Sequence, residues 1–251
     1  MPFKLGKLAP KHNPKTLRFS AFLRTDAPPP PPERTFLEYK IPPATIGMYG
    51  NDQFGDCTCA MVAHWLMLIT AHSGTLVVPS EDEVIAMYQA VCPGFDPATD
   101  ANDNGAALTD VLNYWQTVGL AGHKIDGWAQ IDNTNMLHRN QAQYLFYGVG
   151  VGVQLPSAAQ GQFTAGQDWD VVPGDSIEGG HAILESGYGA RGRNFETWGK
   201  GDQKGTNAWD AAYTDETYIV LTPDLIEQAS DLSPNGMNYA ALTAILAELR
   251  A

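Results

Sequence analysis

The segment that most restricts how this chain can fold is GMYGNDQFGDCTCAMVAHWLMLITAHSG, residues 47–74. A polar, glycine-rich loop leads there into an almost wholly apolar run from Ala60 to Ala71. A helix that is apolar on every side needs protein around its whole circumference, so this run reads as a buried central helix. It falls short of the ~18 apolar residues of a membrane span, and no other run approaches that length. Asp56 reads as the N-cap, which places Cys57 in the first helical turn.

The remaining chain must supply the layers around that helix, and 251 residues are enough for one full core. Ser80-Glu81-Asp82-Glu83 is a capping box that opens a second helix through Val91. Residues 106–118 read as a third helix closed by Gly119, and Asn135 to Leu145 as a fourth. From Gly148 the pattern changes. VGVGVQL alternates glycine and valine up to Pro156, as a strand does where another backbone or ring comes close. HAILESGYG, RNFETWG and ETYIVLTPD follow as further strands. Helices first and strands afterwards give an α+β fold with an antiparallel sheet: a helical half over 41–147 and a β half over 148–222. Residues 223–251 end in GMNYAALTAILAELRA, an amphipathic C-terminal helical extension. Residues 1–40 form a basic, proline-rich arm and spacer, stiffened by Pro28 to Pro32.

Charge divides the chain in the same way. Residues 1–24 carry six Lys or Arg and no acid, while the remainder holds 9 basic and 28 acidic side chains, a balance of −19. So acidic a body argues against nucleic acid as the main ligand. The arm is expected to be solvated, docked on its own acidic body or bound to a protein partner, and the C-terminal helix is a second partner surface. An arm, residues 1–40, that lay along a catalytic cleft would act as an inhibitor. Three cysteines, Cys57, Cys59 and Cys92, are too few for a disulfide framework. The N-terminus lacks the apolar core of a signal peptide. Reduced thiols then suit the cytoplasm, or a virion if the chain is phage-encoded. Cys-x-Cys with one distant Cys lacks zinc-site spacing, and no Gly-Lys-Ser/Thr follows the glycine-rich stretches, so neither metal nor cofactor is expected.

A thiol becomes nucleophilic on ionising, which a helix N-terminus and a neighbouring imidazolium both favour. Cys57 has the first by position. Among six histidines, His12 lies in the arm, and His64 is two turns from Cys57, about 10 Å along the axis. His72, His123 and His138 read as structural or surface residues. His181, in GGHAILESGYG, starts an apolar strand after two glycines that permit close approach to its ring.

These pieces, in this order, resemble the papain-like cysteine peptidase superfamily, in particular compact bacterial and phage relatives without a propeptide. The Cys helix resembles the family's Gln…Gly-Ser-Cys segment, GGHAILESGYG its His strand and ETWG its Asn-Ser-Trp-Gly segment. The likeness spans roughly residues 45 to 222. It implies a papain-like fold and cysteine-dependent acyl transfer on peptide or protein substrates, with His181 as the base. The family's oxyanion-hole amide lies six residues before the nucleophile, which leaves two registers. Asn51 with Cys57 keeps Gly-x-Cys and the helix N-terminus; Gln53 with Cys59 keeps the family's Gln. Cys59, followed by Ala60 and Met61, otherwise reads as a small buried hydrophobe. The residue that orients the imidazole falls on Glu196 where the family has Asn, with Asn194 as its substitute, and Trp198 shields that hydrogen bond. Two rivals remain: a peptidoglycan endopeptidase or amidase, and a non-catalytic structural or binding module of the same fold in a virus particle or other assembly.

Overall fold

A computed structural model describes residues 3–21, 29–35 and 41–225. The helix expected near the C-terminus lies outside these residues. The central helix α1, Cys57–His72, is buried at every position from Cys57 to Thr70. Helices α2, Glu81–Val91, and α3, Leu108–Thr117, pack beside it. The capping box of α2 is formed: Ser80 Oγ accepts from the Glu83 N–H at 3.3 Å, and Glu83 Oε2 accepts from the Ser80 N–H at 2.8 Å. Helix α3 starts two residues later than its pattern suggests, and Gly119 follows it with φ of 103°.

The sheet has six antiparallel strands in the order β1-β6-β2-β3-β4-β5. They are β1 Gly127–Ile131, β2 Val149–Pro156, β3 Ile177–Gly189, β4 Gly192–Thr197, β5 Lys200–Thr206 and β6 Thr214–Leu221. Between them lie α4 Met136–Phe146, α5 Ala158–Thr164 and α6 Asn207–Tyr213. Strand β1 lies in the helical half, between the third and fourth helices where no element was expected, and pairs with β6 at the sheet edge. Helices α5 and α6 and the polar strand β5 are likewise absent from the sequence reading.

The glycines of VGVGVQL set the distance between helix and sheet. A Cβ on Gly148 would stand 2.8 Å from the Trp65 indole, and one on Gly150 would stand 2.6 Å from it. Leaving both out lets α1 sink onto the sheet, where it packs chiefly on β3. On the other side of the strands, Arg139 of α4 and Arg193 of β4 pair with Glu185 of β3 and Asp210 of α6. All four side chains are buried, and two charges of each sign make the cluster neutral. Such a cluster is held by its completeness, since removing one member strands an opposite charge away from water.

Two changes test these contacts. Gly150→Val puts a branched side chain against Trp65 and is expected to destabilise the fold by about 1–3 kcal/mol, read from urea unfolding. Arg139→Met is expected to cost about 3–5 kcal/mol by leaving Glu185 and Asp210 under-paired.

Candidate active site

Cys57 opens α1 and is 1% exposed. Asp56 occupies the N-cap position but its side chain makes no capping hydrogen bond, in contrast to the expected cap. Its carboxyl is buried, and desolvation pushes it well above the usual carboxylate range. The Cys57 thiol meets two backbone N–H groups, those of Ala182 on β3 and Gly6 in the arm. Burial nevertheless dominates and pushes the thiol up to about 11, while the two N–H groups and Lys7 pull the other way.

Ala182 directly follows His181, so the first turn of α1 abuts the histidine strand. His181 is fully buried, and Trp198 stacks on its ring at 4.4 Å with 22° between the planes. Desolvation, followed by the charge of Lys7, pushes His181 down to about 3. Nδ1 makes no hydrogen bond to any described residue, and Nε2 lies 2.8 Å from Thr197 Oγ1. With the arm in place the thiol and the imidazole are therefore both neutral. Burial therefore opposes a thiolate–imidazolium pair in this state.

Thr197, not Glu196, is the hydroxyl or carboxyl partner of the ring. Side chains alternate along a strand, and Glu196 pairs across with Leu184, three residues from His181 and hence on the other face. Thr197, one residue on, turns back to the face of His181. The Glu196 carboxyl is fully buried without a hydrogen-bond partner among the described residues, and desolvation pushes it well above the usual range. Asn194, two residues before Glu196, pairs with Gly187 and lines an open cleft with Tyr188 and Arg193, away from the thiol. Laying ETWG on the family motif by sequence alone could not reveal Thr197, because the register between β4 and β5 shifts between Phe195 and Thr197.

Asn51 is 2% exposed, and its Nδ2 donates to the carbonyl oxygens of Phe54 at 3.1 Å and of Lys4 at 3.3 Å. Its amide is thus held in the loop before Cys57 and already serves a carbonyl of the arm. In the competing register, Gln53 is exposed. Cys59 is fully buried in the core, its thiol raised well above the ordinary value by desolvation.

The arm fills the groove between the halves. Phe3 stacks on Trp198 at 4.5 Å, and Gln160 of α5 brackets its backbone, accepting from its N–H and donating to its carbonyl at 3.2 Å. Ala106 donates to the Gly6 carbonyl at 2.9 Å and accepts from the Leu8 N–H at 3.1 Å. The Lys7 N–H donates to the Gly180 carbonyl, next to His181, at 3.0 Å. The arm therefore bonds to both walls. Gly6 passes so close to Gly55 that a Cβ would lie 1.7 Å from its carbonyl oxygen. Lys11 pairs with Asp110, and Lys4 stands 3.7 Å from Asp100. The described start of the basic arm is docked on its own acidic body.

The burial has a direct readout. The ring resonances of His181, and of His64, which burial pushes down to about 4, are expected to stay at their neutral positions from pH 8 to 5 in folded protein. In urea-unfolded chain the same imidazoles should titrate near the ordinary value of about 6.5. Titration of His181 near 6.5 in the folded chain would show an open site.

No family model matches the sequence, and no curated protein matches it. Solved structures do. Xylellain, a cysteine protease from Xylella fastidiosa, superposes with a TM-score of 0.67 at 14% identity, covering 88% of this chain and 97% of that one. The proform of the ragweed pollen cysteine protease Amb a 11 gives 0.59 at 18% identity, over 92% of this chain and 68% of that one. Procathepsin L 3 from the larval midgut of Tenebrio molitor gives 0.58 at 12% identity, over 84% and 75%. At these identities the likeness is one of architecture, and the fold of this chain is that of the papain-like cysteine proteases.

Proposed function

We propose that this protein is a latent cysteine hydrolase of peptide bonds, with Cys57 as nucleophile and His181 as base, held inactive by its own N-terminal arm. The observation that carries the reading is the meeting of the Cys57 thiol with the Ala182 N–H, which sets a helix-terminal cysteine beside the histidine strand. Thr197 fixes the ring plane through Nε2, and Trp198 covers the ring from water.

Release of the arm changes the electrostatics in the required direction. Water reaches both groups, and the Lys7 ammonium that opposes a charged imidazole departs. His181 then takes the thiol proton. The thiolate attacks the substrate carbonyl, forming a carbon–sulfur bond, while Asn51 Nδ2 and backbone N–H groups at the start of α1 stabilise the oxyanion. Collapse breaks the carbon–nitrogen bond as His181 gives its proton to the leaving amine. Water, deprotonated by His181, then cleaves the thioester and restores the thiol.

Gly6→Val cannot seat against Gly55, and Lys7→Glu puts an acid against Asp215 and Glu216, so each unseats the arm by an independent route. Either variant is expected to react with a peptide-like thiol-directed probe at pH 7 at least tenfold faster than the unaltered chain. The label should be lost on adding Cys57→Ser but retained on adding Cys59→Ser. If both unseated chains label no faster than an ordinary thiol, the module is non-catalytic; the sealed, neutral resting pair is the feature that favours that second reading. In the Gly6→Val chain, Thr197→Val is expected to slow labelling about tenfold and Thr197→Ser to restore it, because only the hydroxyl holds the ring.

A further inference from the structure

Lys7 sits in a recess lined by two acids. Its side chain is fully buried, and Nζ lies 3.0 Å from Asp215 Oδ2 and 3.1 Å from Glu216 Oε1. Nζ also donates to the Leu8 carbonyl at 3.2 Å. Both acids are themselves held in place: Gln154 Nε2 donates to Asp215 at 2.6 Å, and the Tyr218 hydroxyl donates to Glu216 at 2.7 Å. Gly152 makes the room. A Cβ there would lie 2.1 Å from Lys7 Cε and 2.6 Å from Glu216 Cγ. Gly152 pairs across β2–β3 with Ala182, whose N–H meets the Cys57 thiol, so the recess opens one strand from the nucleophile.

Once the arm leaves, two carboxylates face an emptied recess. An apolar side chain entering it would bury them without a counter-charge, which is costly, whereas an ammonium or guanidinium re-forms the pairs that Lys7 made. We infer that the Gly152–Asp215–Glu216 recess is the specificity pocket of the site, and that it selects substrates carrying Lys or Arg near the scissile bond. The inference rests on the hydrolase reading above, and it differs from a latch in predicting what the free cleft prefers.

The test uses the full chain carrying Gly6→Val and thiol-directed peptidyl probes that place Lys, Arg, Leu, Phe or Glu at each of the three residues before the reactive group. At one of these positions Lys and Arg are expected to label at least tenfold faster than Leu or Phe. Glu216→Gln with Asp215→Asn should abolish that preference, and Gly152→Ala should do so by filling the recess while both acids remain. Labelling with no basic preference, or with a preference indifferent to these three residues, overturns the pocket and leaves the hydrolase standing. If nothing labels, calorimetric binding of unreactive Lys- and Leu-containing peptides to the same chain decides. A basic preference that Glu216→Gln removes keeps the pocket and sinks only the catalysis; equal binding sinks both.

Discussion

The depth to which α1 settles on the sheet governs the rest of the molecule. Trp65 lies against the bare backbone at Gly148 and Gly150, and that contact fixes how close the helix axis comes to β2 and β3. Everything chemical is referred to this distance. Cys57 is the first residue of the helix and Ala182 lies on β3, so the depth of the helix sets whether the thiol reaches the N–H it meets. The buried Arg139–Glu185–Arg193–Asp210 cluster complements this from the opposite side, tying β3 and β4 to α4 and α6. The histidine strand is thus clamped on both faces, while the groove above it is closed by a separate piece of chain.

That closure is built from backbone bonds and charge together. The arm hydrogen-bonds to Ala106 on one wall and Gly180 on the other, and Lys7, Lys11 and Lys4 meet acids of the body. A single residue, Lys7, both anchors the arm and adds a positive charge near His181. Desolvation is the larger influence on the imidazole and the ammonium the second, and they act in the same sense. The segment that covers the ring is thus also the one that opposes its charging.

Much of this was legible in the residues. The apolar run after Ala60 requires a central helix, the Ser80–Glu83 box names its own start, and the glycine–valine alternation signals a close approach that Trp65 makes. The basic arm against an acidic body was readable as self-docking. Strand β5, KGDQKGT, was not, because it carries no alternating apolar pattern and is held by pairing with β4. Strand β1 was hidden for a related reason: five residues between two helices gain their identity from pairing with β6. Thr197 was missed because a one-residue change in strand register exchanges faces, and no local signal marks where that happens. Lys7 was counted only as one of six charges, since nothing in MPFKLGKLAPKHNPK distinguishes a lysine that will be fully buried from one that will be solvated.

Because the segment that fills the groove is covalently part of the same chain, it competes as though present at roughly millimolar concentration however dilute the protein becomes. A free peptide would have to outbid a tethered neighbour, and dilution gives it no advantage. On the hydrolase reading proposed above, abundance of substrate is then a poor trigger. What matters is whether something acts on the tether itself, by cutting it or by pulling it toward another surface, so that the groove answers to an event between the docked segment and the body rather than to the supply of anything it could hold.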